Sequence, residues 1–200
     1  VHPMQHPPSF ASSGREAVRG FTLIEALVSL AIVAVLAAVA APAFRTMTER
    51  MAVSSVVDEM VASVNLTRNP AIGNNGNVVI RKLTEAETGL TGLCTTTQNW
   101  SCGWRVFWDQ NTNGVQDGDA NNIANPERTL YNFNITNNVV VMRSVNGANM
   151  TANRWGQLAG INAVGYTLSP RGTGVGSPAT TTICVNSGGR TRVLQGAVAC

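Results

Sequence analysis

The chain has 200 residues, of which 44% are hydrophobic and only 12% charged, with a formal net charge of +3. Such a composition excludes a charge-rich disordered chain, and the length fits one modest domain plus an added segment. The only histidines are His2 and His6, so beyond them no Ser-His-Asp or Cys-His nucleophile scheme can be assembled.

Residues 1–19 are polar, proline-rich and unpatterned, with Arg15 and Arg19 close to the apolar run that follows. From Ala26 to Phe44 nineteen residues pass without a charge, interrupted only by Ser29 and Pro42. As a helix they would cross a hydrocarbon core about 30 Å thick. Glu25 stands at the edge of this segment, where an ionised carboxylate costs a few kcal/mol, roughly, unless it finds a partner. A secretory signal would carry its small residues after a short apolar core. Here Gly20 stands before the core, so cleavage after it would keep the helix and create a new α-amino group on Phe21.

The run Gly20-Phe21-Thr22-Leu23-Ile24-Glu25 and its apolar continuation resemble the class III signal of type IV pilins and pseudopilins. The resemblance implies cleavage after Gly20 by a prepilin peptidase and methylation of Phe21. It also implies that Glu25 pairs with a neighbouring subunit's N-terminal amine during filament assembly. Major and minor pilins, the peptidase and the inner membrane are then the expected partners. The expected location is a single pass through the inner membrane with a periplasmic C-terminal domain, and the pilus or cell surface after assembly.

Beyond Phe44 helical spacing continues. Met47, Met51, Val53, Val56, Val57, Met60, Val61, Val64 and Leu66 recur on one face, with Glu49, Arg50, Asp58 and Glu59 between them. Pro42 should bend this helix, and Asn69-Pro70 with the Gly73–Gly76 cluster should end it, with Pro70 stopping it early. Seven short β-branched or aromatic runs follow, separated by Gly/Asn-rich turns: Asn77–Leu83, Gly103–Asp109, Arg128–Phe133, Asn138–Ser144, Gly165–Ser169, Thr181–Asn186 and Arg190–Gln195. The stretches 83–99 and 145–165 fit no template. The expected architecture is α+β and pilin-like, a long N-terminal membrane and spine helix packed on a C-terminal antiparallel β-domain. Residues 1–20 form the leader, 21–72 the helix (transmembrane about 21–44), and 73–200 the globular domain.

Within the β-domain, the Cys102–Asp119 segment (CGWRVFWDQNTNGVQDGD) resembles the first long hairpin of the GspH/FimT/FimU family of minor pilins and pseudopilins. The Thr182–Gln195 segment resembles that family's closing hairpin, which carries a Gly-Arg-x-Arg motif. This resemblance implies either a tip minor pilin that captures DNA for uptake in natural transformation, or a purely structural, FimU-like one that primes assembly. A GspH-type pseudopilin of a type II secretion system shares the same architecture.

Four cysteines all lie in the presumed exported part, and four allow three pairings. Cys94–Cys102, closing a short loop, and Cys184–Cys200, tying down the C-terminus, are the favoured pairs, and both imply an oxidising compartment. No CxxC spacing accompanies them, so no zinc site, and no cofactor, is expected. The Asp109–Asp119 stretch resembles the first half of a calcium loop, but Ala120 stands where such a loop needs a bidentate Glu. Its Asn, Asp and Gly residues read instead as turn formers. Asp117 and Asp119 make a formal carboxylate pair, but they sit in a turn without a pocket, and no enzyme activity is expected.

From Arg128 to Cys200 the chain carries six arginines and no Asp or Glu. A one-sign block of this kind is the footprint of phosphate binding. Arg190 and Arg192, two apart after the turn glycine Gly189, should grip adjacent phosphates, with Arg171, Arg143 and Arg154 extending the patch. No aromatic stacking pattern is visible in the sequence, so contact is expected with the DNA backbone, without sequence preference and in duplex form.

Overall fold

The computed structural model describes residues 21–73, 76–117, 127–135, 138–159 and 163–200. Its longest element is α1, Leu23–Gly73. Contacts divide the chain into two units, one ending at Pro42 and the other running from Ala43 to Cys200.

In the first unit the Thr22 hydroxyl accepts the Glu25 N–H at 3.3 Å, a cap for the first turn, and Ser29 donates to the Glu25 carbonyl. Its large apolar side chains are exposed all round, from Phe21 and Leu23 at about four-fifths to Val39 at 73%. A helix apolar on every side needs an apolar solvent or neighbouring helices. By length and composition it can cross a membrane.

In the second unit α1 buries a stripe made of Val53, Val56, Val57, Met60, Ser63, Val64, Thr67 and Ala71. Steps of three and four residues keep these on one face. The stripe starts later than its sequence pattern suggests, because Met47 and Met51 are more than half exposed. It also includes two polar residues. Thr67 is satisfied by donating to the Ser63 carbonyl, and the Ser63 hydroxyl by accepting the Trp104 indole N–H at 2.7 Å. Pro70 does not end the helix early. Fully buried Ala71 anchors the last turn, and the Gly76 N–H closes onto the Ala71 carbonyl.

Two antiparallel sheets pack on this stripe. The first joins β3 (Thr129–Asn134), β2 (Gly103–Trp108), β1 (Val78–Lys82), β5 (Asn149–Ala152) and β6 (Leu158–Ala159), in that order. The second joins β4 (Val139–Arg143), β7 (Ala163–Pro170), β8 (Thr181–Asn186) and β9 (Thr191–Gln195). Alternate residues of both, such as Val78, Ile80, Val141, Tyr166, Ile183 and Val185, meet α1 in a single core. β5 and β6 arise from the stretch after residue 145 that carries no strand pattern, and the short helix α2 (Glu85–Thr88) from the stretch after Leu83. α2 is held by a capping box between Thr84 and Glu87.

The loop before β2 is fastened from inside. Lys82 is buried, and its ammonium donates to the carbonyls of Cys94, Thr96 and Asn99. Burial pulls the Lys82 amine below the ordinary lysine range, against the opposing pull of Glu85. A disulfide joins Cys94 to Cys102 across the same loop. The loop covers the outer edge of β4, with Trp100 N–H on the Val141 carbonyl and Arg143 N–H on the Gln98 carbonyl. The second disulfide joins Cys184 on β8 to Cys200. It lies over Gly165 of β7, where an added Cβ would come within 3.0 Å of the Cys200 sulfur.

Candidate nucleic-acid interface

Three chain segments meet where α1 ends. They are the last turns of the helix, the turn 153–157 between β5 and β6, and the turn 186–190 between β8 and β9. One side chain ties them together. The Arg68 guanidinium donates from Nε to the Gly156 carbonyl at 2.8 Å and from Nη1 to the Gly189 carbonyl at 3.3 Å. A backbone bond from Leu158 N–H to the Ser187 carbonyl, 2.7 Å, joins the two turns directly. Both loops are thereby fixed to a rigid helix.

The β8–β9 turn owes its shape to Asn186 and Gly189. Asn186 accepts the Gly189 N–H on its carbonyl and the Arg190 N–H on its side chain. Gly189 has φ +72, and a Cβ there would lie 2.3 Å from the Arg68 side chain. Its role is therefore to admit Arg68 against the turn. Arg190 belongs to the turn, since β9 begins at Thr191, and Arg192 follows within the strand, paired across to Cys184. Both side chains are exposed, as is Arg154 on the other turn.

Turn 153–157 is equally well determined. The Asn153 side chain accepts the N–H groups of Trp155 and Gln157, and its carbonyl accepts that of Gly156. Trp155 stands outward, 67% exposed, with the Arg154 guanidinium 5.0 Å from its ring centre. Neither the last fourteen residues of α1, from Met60 to Gly73, nor the 73 residues after Glu127 contain an acid. The segments that build this end of the molecule carry arginines and no acidic side chain.

Two of the five arginines expected to contact phosphate are elsewhere. Arg143 is 95% buried. Its Nη1 donates to the Gly147 and Asn149 carbonyls, and its guanidinium lies 5.8 Å from the Trp100 ring centre. It fastens the β4–β5 connection and has no phosphate-facing surface, so it leaves the contact set. Arg171 follows β7 at the opposite end of the second sheet and lines a cleft with Arg45, Thr48 and Glu49. Eight strand residues, about 26 Å, separate that end of β7 from the end beside Asn186. Arg68 and Trp155 are new members. Arg68 belongs to the helix pattern, outside the arginine block, and nothing in the sequence marks one tryptophan of four as exposed.

Near the N-terminus Gly20 lies outside the described residues. Phe21 is exposed and precedes the first helical turn. The Glu25 carboxylate has no cation within ion-pair distance among the described residues. Asp119 and Ala120 of the calcium-like stretch also lie outside them. The part that is described is held by turn bonds, with Asp109 accepting the Asn113 and Gly114 N–H groups. Buried Glu127 accepts those of Gln110 and Asp117. Among the described residues no group of three or more acidic, histidine or cysteine side chains could hold a metal.

Residues 16–41 match the family model of the prokaryotic N-terminal methylation motif. No curated protein sequence matches the chain. Two crystal structures of the type IV minor pilin FimU of Pseudomonas aeruginosa, in different space groups, are similar in fold. One is 15% identical and covers 77% of this chain and 98% of its own, with a TM-score of 0.51. The other is 16% identical and covers 74% and 98%, with a TM-score of 0.47.

Proposed function

From an N-terminal methylation motif joined to the fold of a type IV minor pilin, we infer that this chain works as a minor pilin of the GspH/FimT/FimU type. It is a structural subunit without catalysis of its own. The observation that carries this reading is Glu25. It is a carboxylate without a cation partner among the described residues, at the start of a helix exposed and apolar on every side. Cleavage after Gly20 by the prepilin peptidase puts the methylated amine of Phe21 four residues before it. In a filament the amine of one subunit neutralises the Glu25 of the next, while the apolar helices pack together. Before assembly the chain resides in the inner membrane with its β-domain in the periplasm. Afterwards it belongs to the pilus, in company with major and minor pilins.

The test is direct. Glu25→Ala should be cleaved normally yet enter filaments poorly, while Gly20→Leu should keep its leader and run larger on a gel. Filaments that incorporate Glu25→Ala at the wild-type level would refute the charge pairing.

The second part of the proposal is that the positive end binds extracellular DNA through its backbone, for uptake in natural transformation. Exposed Arg154 and Arg190 on fixed turns and exposed Arg192 on β9, in segments without Asp or Glu, support it. One such patch should bind weakly, on the order of 10⁻⁴–10⁻⁶ M, and lose affinity steeply with salt. Titration of labelled DNA against the Arg190→Gln/Arg192→Gln variant should give a large loss of affinity and a shallower salt dependence. Unchanged binding would leave the structural role, as in a FimU-like subunit, and remove the DNA role.

A further inference from the structure

We propose that Trp155 is a base-stacking platform, and that the positive end therefore takes single-stranded nucleic acid in preference to duplex. The inference rests on the nucleic-acid reading above and names the form of the ligand.

A tryptophan 67% exposed forgoes much of the stabilisation its burial would bring. Mobility does not account for this one. Its own N–H is held by Asn153, the next residue's N–H by the Asn153 carbonyl, and the next residue's carbonyl by Arg68. The ring is thus carried on a turn bonded at three points. The Arg154 guanidinium attends the ring at 5.0 Å, close enough for a cation–π contact. A base stacked on the ring would gain both the aromatic surface and a neighbouring charge for its phosphate.

What lies beside the ring fixes the rest. Arg68 grips the carbonyls of Gly156 and Gly189 with one guanidinium, so the residue after Trp155 and the residue before Arg190 lie within the reach of a single side chain. Stacking surface and phosphate ligands are thereby adjacent, the combination by which proteins hold single strands without reading sequence. A duplex keeps its bases stacked on one another and offers this ring only its backbone. The sequence alone points to duplex because an exposed aromatic cannot be told there from a buried one. The observed position of Trp155 changes that expectation.

The experiment uses the full chain in micelles of an uncharged detergent and follows the anisotropy of a labelled oligothymidine. A duplex of equal length, measured at several salt concentrations, serves as comparison. Wild type should bind the single strand at least about five-fold more tightly than the duplex, the lower end of what one stacked base contributes. Trp155→Leu should abolish that preference and leave the salt dependence unchanged, whereas Trp155→Phe should keep most of it. Arg190→Gln/Arg192→Gln should weaken both ligands and flatten the salt dependence. Equal or tighter duplex binding by wild type overturns the stacking role while leaving the arginine role intact. Equal binding of the single strand by wild type and by a Trp155→Leu protein with unchanged thermal melting does the same. Absence of binding to either ligand at low salt overturns both readings.

Discussion

Arg68 concentrates several demands in one side chain. It is half-buried, and its guanidinium is spent on two carbonyls from two different turns. Charge-assisted bonds of this kind are stronger than neutral ones, so each turn is held more firmly than its own short backbone bonds would manage. Gly189 is the complementary partner. An alanine there would meet Arg68 at 2.3 Å in a left-handed backbone conformation that disfavours a side chain. Gly189→Ala should therefore displace Arg68, loosen both turns together and cost about 2 kcal/mol or more. Thermal unfolding measures the cost, and amide exchange at Gly156 in the other turn and at Leu158 just after it tests the coupling. Protection unchanged at those two positions would mean that the turns are independent. Gly165 plays a comparable part on β7, where it leaves room for the disulfide above it.

At the level of elements, the strands that could be read in the sequence, β3 and β9 among them, are those made of β-branched or aromatic runs bounded by turn residues. β1, β2, β4, β7 and β8 each bring Val, Ile, Trp or Tyr to the core, and their β-branched or aromatic runs mark them. β5 and β6 went unread for a physical reason. They have four and two residues, drawn from Asn, Met, Thr, Ala and Leu, and are strands because β1 offers β5 a partner and β5 in turn offers one to β6. Tertiary pairing outweighs local preference there. α2 left one signal that could have found it, the spacing of Thr84 and Glu87. Pro70 misled in the other direction, because it lacks only one donor and the burial of Ala71 holds the turn after it. The proposed site is marked in the sequence by its charges and not by its geometry. A block of arginines suggests phosphate, but not that Arg143 folds onto Trp100 or that Arg171 follows β7 at the end of the sheet away from Arg190. The membrane-type segment was the plainest feature, since its pattern needs no tertiary context.

For the whole molecule, the placement of α1 along the second sheet has a mechanical meaning. Glu49 accepts hydrogen bonds from Thr173 and Ser177 ahead of β8, while Arg68 reaches Gly189 beyond its other end. These two contacts lie about 28 Å apart along the helix, and β8, Thr181–Asn186, about 20 Å long, falls between them. β8 and β9 therefore run alongside the helix axis. A load applied between Ala43, where the chain enters this unit, and a ligand held at Arg190 pulls nearly parallel to those strands. Antiparallel ladder bonds lie across the strands, so such tension strains all the rungs in shear at once instead of unzipping them in turn. Single-molecule pulling with handles at Ala43 and Ser187 should need a markedly higher rupture force than pulling between β4 and β9 across the sheet. Equal forces in the two directions would show that the ladder bears no special share of the load. Under the proposed DNA-holding role, the domain would have its strongest direction where a polymer held at Arg190 pulls on it.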